Sequence, residues 1–221
     1  MKNQDLINEI TDHKKNFKNW LKANYSYDDI INEKYDDTGY PKWAEVENTF
    51  EKAFKELDFS KLKDEVLETI GYLLARQWDV GIIFPYFKEE ISQIGMSENQ
   101  LLILSKFGLK SNEWSFKQQC ASSLRKVKND IPKAIKIALN YFDDEDVDIK
   151  RHSLKSLHYL GLKNLSPLLE KAWKLNDELL KIVCLNLWKE INQAKFKEKL
   201  LEAKLDSREI IKKYINELKI E

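Results

Sequence analysis

Glycine and proline are scarce in this chain, with six and four among 221 residues. So few turn-formers argue against a many-stranded sheet and favour long helices joined by short polar connections. No phosphate-cradling glycine loop, dinucleotide fingerprint, nucleophile elbow or His-Glu-x-x-His zinc motif occurs, which removes the sequence support for the chemistries that depend on them. Cysteine is nearly absent: Cys120 and Cys184 are too few for a disulfide framework and have no neighbouring Cys or His at zinc-ligand spacing. Net charge is missing too. Lys plus Arg and Asp plus Glu both total 37, so no global field draws in a polyanion. No run approaches the roughly 18 apolar residues of a membrane span, and the opening MKNQDLINEITDHKKNF lacks the apolar core of a secretory signal. These absences lead us to expect a cytoplasmic protein with no cofactor, no metal and no membrane contact.

What the chain does have is Lys, Glu, Leu, Ile, Asn and Asp, the composition of an all-α protein. One short pattern occurs three times, as FKQQCASSL from Phe116, IKRHSLKSL from Ile149 and LKIVCLNLW from Leu180. Each copy has an apolar residue, then Lys, a small residue at the fifth position and a large apolar one at the ninth. A degraded fourth copy starts at Ile211-Lys212, with Ile215 and Leu218 continuing its stripe. Other helical stripes lie between the copies: Ile135, Ala138, Leu139 and Phe142; Leu165, Leu168, Leu169, Ala172 and Trp173; Leu200, Leu201, Ala203 and Leu205. Two amphipathic helices in a period of about 30 to 40 residues mark an α-solenoid, in which neighbouring pairs bury one another's apolar faces. The small fifth residues, Cys120, Ser153 and Cys184, are read as close helix contacts, which makes both cysteines packing residues rather than nucleophiles.

The stretch FDDEDVDIKRHSL, from Phe142, crowds four aspartates and a glutamate before Lys, Arg and His. A calcium loop built on Asp144, Asp146 and Asp148 would need glycine at Ile149 and glutamate at Lys155. Neither is present, so we read the run as a capped helix start whose acids favour the positive end of the helix dipole. With Asp144 and Asp146 ahead of Ile149-Lys150, small residues at Ser153 and Ser156, and a closing Leu160-Gly161, residues 97–221 resemble the HEAT-repeat family. The resemblance implies a right-handed α-solenoid of helix pairs that binds another macromolecule. We therefore expect one helical-repeat domain over 1–221, with irregular N-terminal helices over 1–60 and helix pairs over 61–221.

The N-terminal half is less regular. A strongly apolar helix is expected from about Asp64 to Gln77, followed by an apolar segment broken at Pro85, and Arg76 and Asp79 are spaced for a structural salt bridge. The phrase YLLARQWD is similar to one found in HEAT-like bacterial toxin-immunity proteins. Further upstream, Tyr25, Tyr27, Tyr35, Tyr40 and Trp43 stand among Asp28, Asp29, Asp36 and Asp37. Rigid aromatic rings mixed with acids have the composition of a protein-binding surface, and equally of a cap over the open end of a repeat stack.

Two functions are compatible with this architecture. The leading expectation is a non-enzymatic, monomeric scaffold for a protein partner, of which an immunity protein masking a bacterial toxin domain is the narrower form. The alternative is a HEAT-like DNA glycosylase acting on alkylated bases through a basic concave groove. Gln118, Ser122 and Arg125, then Arg151, Lys155 and His158, then Asn186 and Lys189, are spaced to share one exposed stripe free of acids. His13, His152 and His158 fit no metal spacing. The zero net charge and the lack of a Trp-Asp-Arg constellation set the DNA reading second.

Overall fold

The computed structural model describes residues 2–76 and 96–218, and among them every regular element is helical. Contacts divide the chain into two compact units, Met1–Cys120 and Ala121–Glu221.

In the first unit α1 (Lys2–Asn24) packs on α3 (Trp43–Glu56) and α4 (Asp64–Arg76), and α4 packs on α5 (Glu98–Gly108). The short α2 (Tyr27–Ile31) follows α1 in sequence, and most of α6 (Trp114–Ser123) completes the unit. Ile10, Phe17, Val46, Phe50, Ile70 and Leu73 form the centre of its core. A capping box of Ser97 and Gln100 starts α5, and the Gln100 amide also donates to the carbonyls of Phe54 (2.9 Å) and Leu57 (3.3 Å). One side chain thereby satisfies a helix start and ties it to the end of α3. Gly71 on α4 lies under the Phe116 ring of α6, where an added Cβ would stand 2.8 Å from the ring. The expected helix from Asp64 is found, ending at Arg76 in the described residues; Gln77, Asp79 and Pro85 lie outside them.

The second unit is made of α7 (Ile131–Phe142), α8 (Val147–Tyr159), α9 (Ser166–Lys174), α10 (Glu178–Ile191), α11 (Gln193–Lys204) and α12 (Glu209–Glu217). α7 packs on α8, α9 on α10 and α11 on α12, while α10 also packs on α8 and α12. The repeated sequence pattern is visible in individual contacts. Ser153 Oγ donates to the Ala138 carbonyl at 2.6 Å, and Cys184 Sγ approaches the Leu169 carbonyl at 3.6 Å, both across 15 residues. Lys150 covers the Phe142 ring at 5.9 Å, and Lys181 covers the Trp173 ring at 5.1 Å. Each contact recurs 31 residues later, so the lysine at the second position of the pattern lies along the aromatic residue of the preceding helix. Phe116, Ile149 and Leu180 at the first position, and Leu124, Leu157 and Trp188 at the ninth, are all buried. Both cysteines are buried as expected.

The acidic run begins α8. Asp146 accepts from the backbone N–H groups of Asp148 (2.8 Å) and Ile149 (3.1 Å), Arg151 pairs back to Asp148, and Lys150 donates to the carbonyls of Phe142 and Asp144. Asp177 caps α10 through the Leu180 N–H at 2.8 Å. Gly161 ends α8 in the left-handed region at φ 76°, which a side chain would strain.

Two of the expected stripes are corrected. On α7 the buried set is Ala134, Ile137, Ala138, Tyr141 and Phe142, leaving Ile135 and Leu139 half-buried. On α11 Phe196, Lys199, Leu200 and Ala203 are buried, whereas Leu201 is 65% and Leu205 88% exposed. Lys199 takes an inward place because its ammonium lies over the Trp173 ring (5.5 Å) and pairs with Glu202 at 2.7 Å.

Candidate functional site

The sequence offers two surfaces, and folding treats them differently. The N-terminal aromatic group is divided: Tyr40 and Trp43 belong to the core, Tyr25 and Tyr35 are half-buried and Tyr27 is exposed. The Phe17 ring lies 5.1 Å from that of Tyr40 and 5.3 Å from that of Trp43; both residues are buried, and the Trp43 indole donates to the Asp37 carbonyl at 2.6 Å. Tyr25 is half-buried against Trp20 and Tyr35, and its hydroxyl donates to the Asp36 carbonyl at 3.0 Å. Burial raises the Tyr35 hydroxyl to about 12, with Arg76 opposing it. The acids serve the local turns. Asp36 accepts from Thr38, and Asp29 bonds Ser26, the residue that caps α2. Asp28 accepts through its carbonyl from Asn32, and Tyr27, 76% exposed, is the one ring of the expected set that points to solvent. Arg76 pairs with Glu113 at 2.9 Å and packs over Tyr72 at 4.4 Å; its expected partner, Asp79, lies outside the described residues.

In the second unit α8 and α10, with the turn before α7, form a cleft of about 190 Å³. Arg125, Lys155, His158 and Asn186 line it, joined by Tyr159 and Glu190, and Val183 and Leu187 form its apolar floor. The expected stripe therefore converges in part. Gln118 departs from it because it is buried in the first unit, and Ser122 is half-buried with its carbonyl turned to Ser156. Arg151 is engaged by Asp148, and Lys189 is exposed but does not line the cleft. Nor is the stripe free of acid: Glu190 stands in the cleft with its carboxylate 2.7 Å from His158 Nε2.

The cleft is cationic for a structural reason. Among the described residues neither Arg125 nor Lys155 has a carboxylate within ion-pair distance, while the Arg125 guanidinium lies 5.8 Å over the Tyr159 ring. Burial lowers the pKa of Lys155, and Arg151 and Arg125 lower it further. Burial also pushes His152, beside this group, down to about 4, with the same three cations assisting against Asp148. Tyr214 donates to Asn186 Oδ1 at 2.8 Å, which leaves the amide N–H groups of Asn186 as donors.

Stripe arithmetic alone passed over Tyr159 and Glu190. They follow His158 and Lys189 by one residue, and a helix face wide enough to line a cleft includes such neighbours. Among the described residues no three His, Cys, Asp or Glu side chains gather as a metal would require, and no helix is long and apolar enough to cross a membrane. No family model, curated protein or solved structure matches this chain.

Proposed function

We propose that the protein is a non-enzymatic scaffold of HEAT-like helix pairs, an α-solenoid that binds a protein partner through the α8–α10 face. The observation that carries this reading is the cleft itself: an exposed tyrosine, 66% accessible, stacked on an arginine that has no carboxylate partner among the described residues, and flanked by Lys155 and Asn186. Tyrosine and arginine are the residue types that dominate binding energy at protein interfaces, because both bring large contact area and directed polar groups. The contacts repeated at 31-residue spacing support the repeat architecture. A toxin domain held inactive by such a contact is the narrower form of the same reading.

The test is capture of stoichiometric partners by the tagged full chain, followed by titration of the purified pair. Tyr159→Ala is expected to cost about 2 kcal/mol or more in affinity, while Tyr27→Ala leaves it near the original value. The alternative is DNA, favoured by the cations Arg125 and Lys155. Duplex binding that survives physiological salt, with release of an alkylated base, would replace the scaffold reading.

A further inference from the structure

We infer that the α8–α10 cleft receives a single acidic side chain of the partner, its carboxylate held between Arg125 and Lys155 and its methylene stem lying on Val183 and Leu187. The inference rests on the scaffold reading for its occupant, but the cleft's own chemistry specifies what that occupant presents. Donors dominate the rim: the Arg125 guanidinium, the Lys155 ammonium and the free N–H groups of Asn186. The acceptor that lines it, the Glu190 carboxylate, is already engaged by His158 at 2.7 Å. Below them the floor is apolar, with Val183 and Leu187 both buried. A rim of donors above an apolar floor matches a glutamate or aspartate, whose charged end sits on a hydrocarbon stem.

Size and charge both select a side chain over a nucleic-acid backbone. A volume of about 190 Å³ falls below the roughly 300–1,000 Å³ of sites that enclose whole small molecules, so the cleft takes one group rather than a nucleotide. A continuous polyanion running through it would also meet Glu190, whose side chain is 62% exposed. One carboxylate can settle on the Arg125–Lys155 side and leave Glu190 to His158. The Tyr159 ring, 5.8 Å from the Arg125 guanidinium, gives that group one flank and adds contact area beside the carboxylate.

The experiment titrates the full-length chain with a fluorescent oligoglutamate peptide and, in parallel, with a duplex oligonucleotide of matched charge at several salt concentrations. Oligoglutamate is expected to bind. Arg125→Ala and Lys155→Ala should each weaken it at least about tenfold, the equivalent of one charge-assisted hydrogen bond. Glu190→Gln should tighten it, and Arg125→Lys should restore part of the loss, which no general unfolding would do. Melting curves of the variants, whose substituted groups lie at an accessible rim, establish that they are folded. The inference is overturned by oligoglutamate that does not bind, by binding indifferent to these substitutions, or by a duplex that binds more tightly and loses affinity with them. A captured partner whose affinity ignores Arg125→Ala and Lys155→Ala also overturns it while leaving the scaffold reading intact; that reading fails separately if the wild-type chain holds no stoichiometric protein.

Discussion

Ser153 has no exposed surface, and its hydroxyl donates to the Ala138 carbonyl at 2.6 Å, so its smallness sets how closely α8 approaches α7. Ser153→Leu is expected to destabilise the protein by about 1–3 kcal/mol through overpacking, whereas Lys155→Ala, two residues along on the cleft side, should shift a denaturant midpoint little. Equal shifts would disprove the register. Gly71 makes the same point with the opposite starting bias. Replacing a helical glycine by alanine ordinarily gains about 1 kcal/mol, but the Phe116 ring would stand 2.8 Å from the new Cβ and is itself fully buried. We therefore expect Gly71→Ala to lower the melting temperature, and an unchanged or higher one would refute this close contact. At this scale the sequence exposed the packing residues well, because close approach of two helices demands a small side chain at the contact, as at Ser153 and Cys184. It exposed the aromatic residues poorly. Tyr40 and Trp43 carry the composition of an interface and are buried in a core, since the same large rings suit both and only three-dimensional neighbours decide between them.

The helix start at Asp146 was legible because its side chain bonds to the backbone just ahead, whereas the equivalent caps at Ser97, Asp130 and Asn192 stand in no acidic run and were not read. Asp146→Ala should cost about 1 kcal/mol, read from the melting midpoint, and added calcium should not move the midpoint of either protein. A calcium-dependent rise in the wild type that the variant lacks would return the acidic run to a metal loop. Helix faces were less legible. The α11 stripe went wrong because Lys199 turns inward with its ammonium over Trp173 while Leu201 and Leu205 face out, and a count of apolar residues assigns each to the opposite side. The acids near the basic stripe were missed for a related reason: Asp148 and Glu190 reach Arg151 and His158 from other helical positions, and a single-file spacing rule does not include them.

Each of the two units carries a histidine, buried His13 and half-buried His152, whose surroundings oppose its charge. Burial lowers the pKa of His13 in the first unit from 6.5, with Lys42 assisting and Glu9, Glu45 and Asp12 opposing. Its Nε2 meets Thr49 Oγ1 at 2.9 Å, Thr49 donates to Glu9 at 2.7 Å, and its Nδ1 is buried with no hydrogen-bond partner among the described residues, so a second proton would have no acceptor there. In the second unit burial takes His152 from 6.5 to about 4, with Arg151, Lys155 and Arg125 assisting against Asp148. A histidine with a folded pKa below its unfolded one gains a proton on unfolding. The stability it lends is thus complete above about pH 6.5 and is lost as the pH falls towards the folded value. For His152 the window runs from about 6.5 down to about 4, and the loss is at most about 3 kcal/mol. Amide exchange reports this unit by unit. Lowering the pH through that window should reduce the protection factors of α8 in the wild type, each taken against the intrinsic exchange rate at the same pH, and His152→Gln, which cannot take up the proton, should flatten the response in α8 while leaving that of α1 unchanged. His13→Gln should do the reverse. If α8 responds alike in wild type and His152→Gln, the acid sensitivity of the second unit lies in its carboxylates instead, such as Asp206, whose hydrogen bonds from Arg208 hold its pKa low and whose contribution is lost only further into acid.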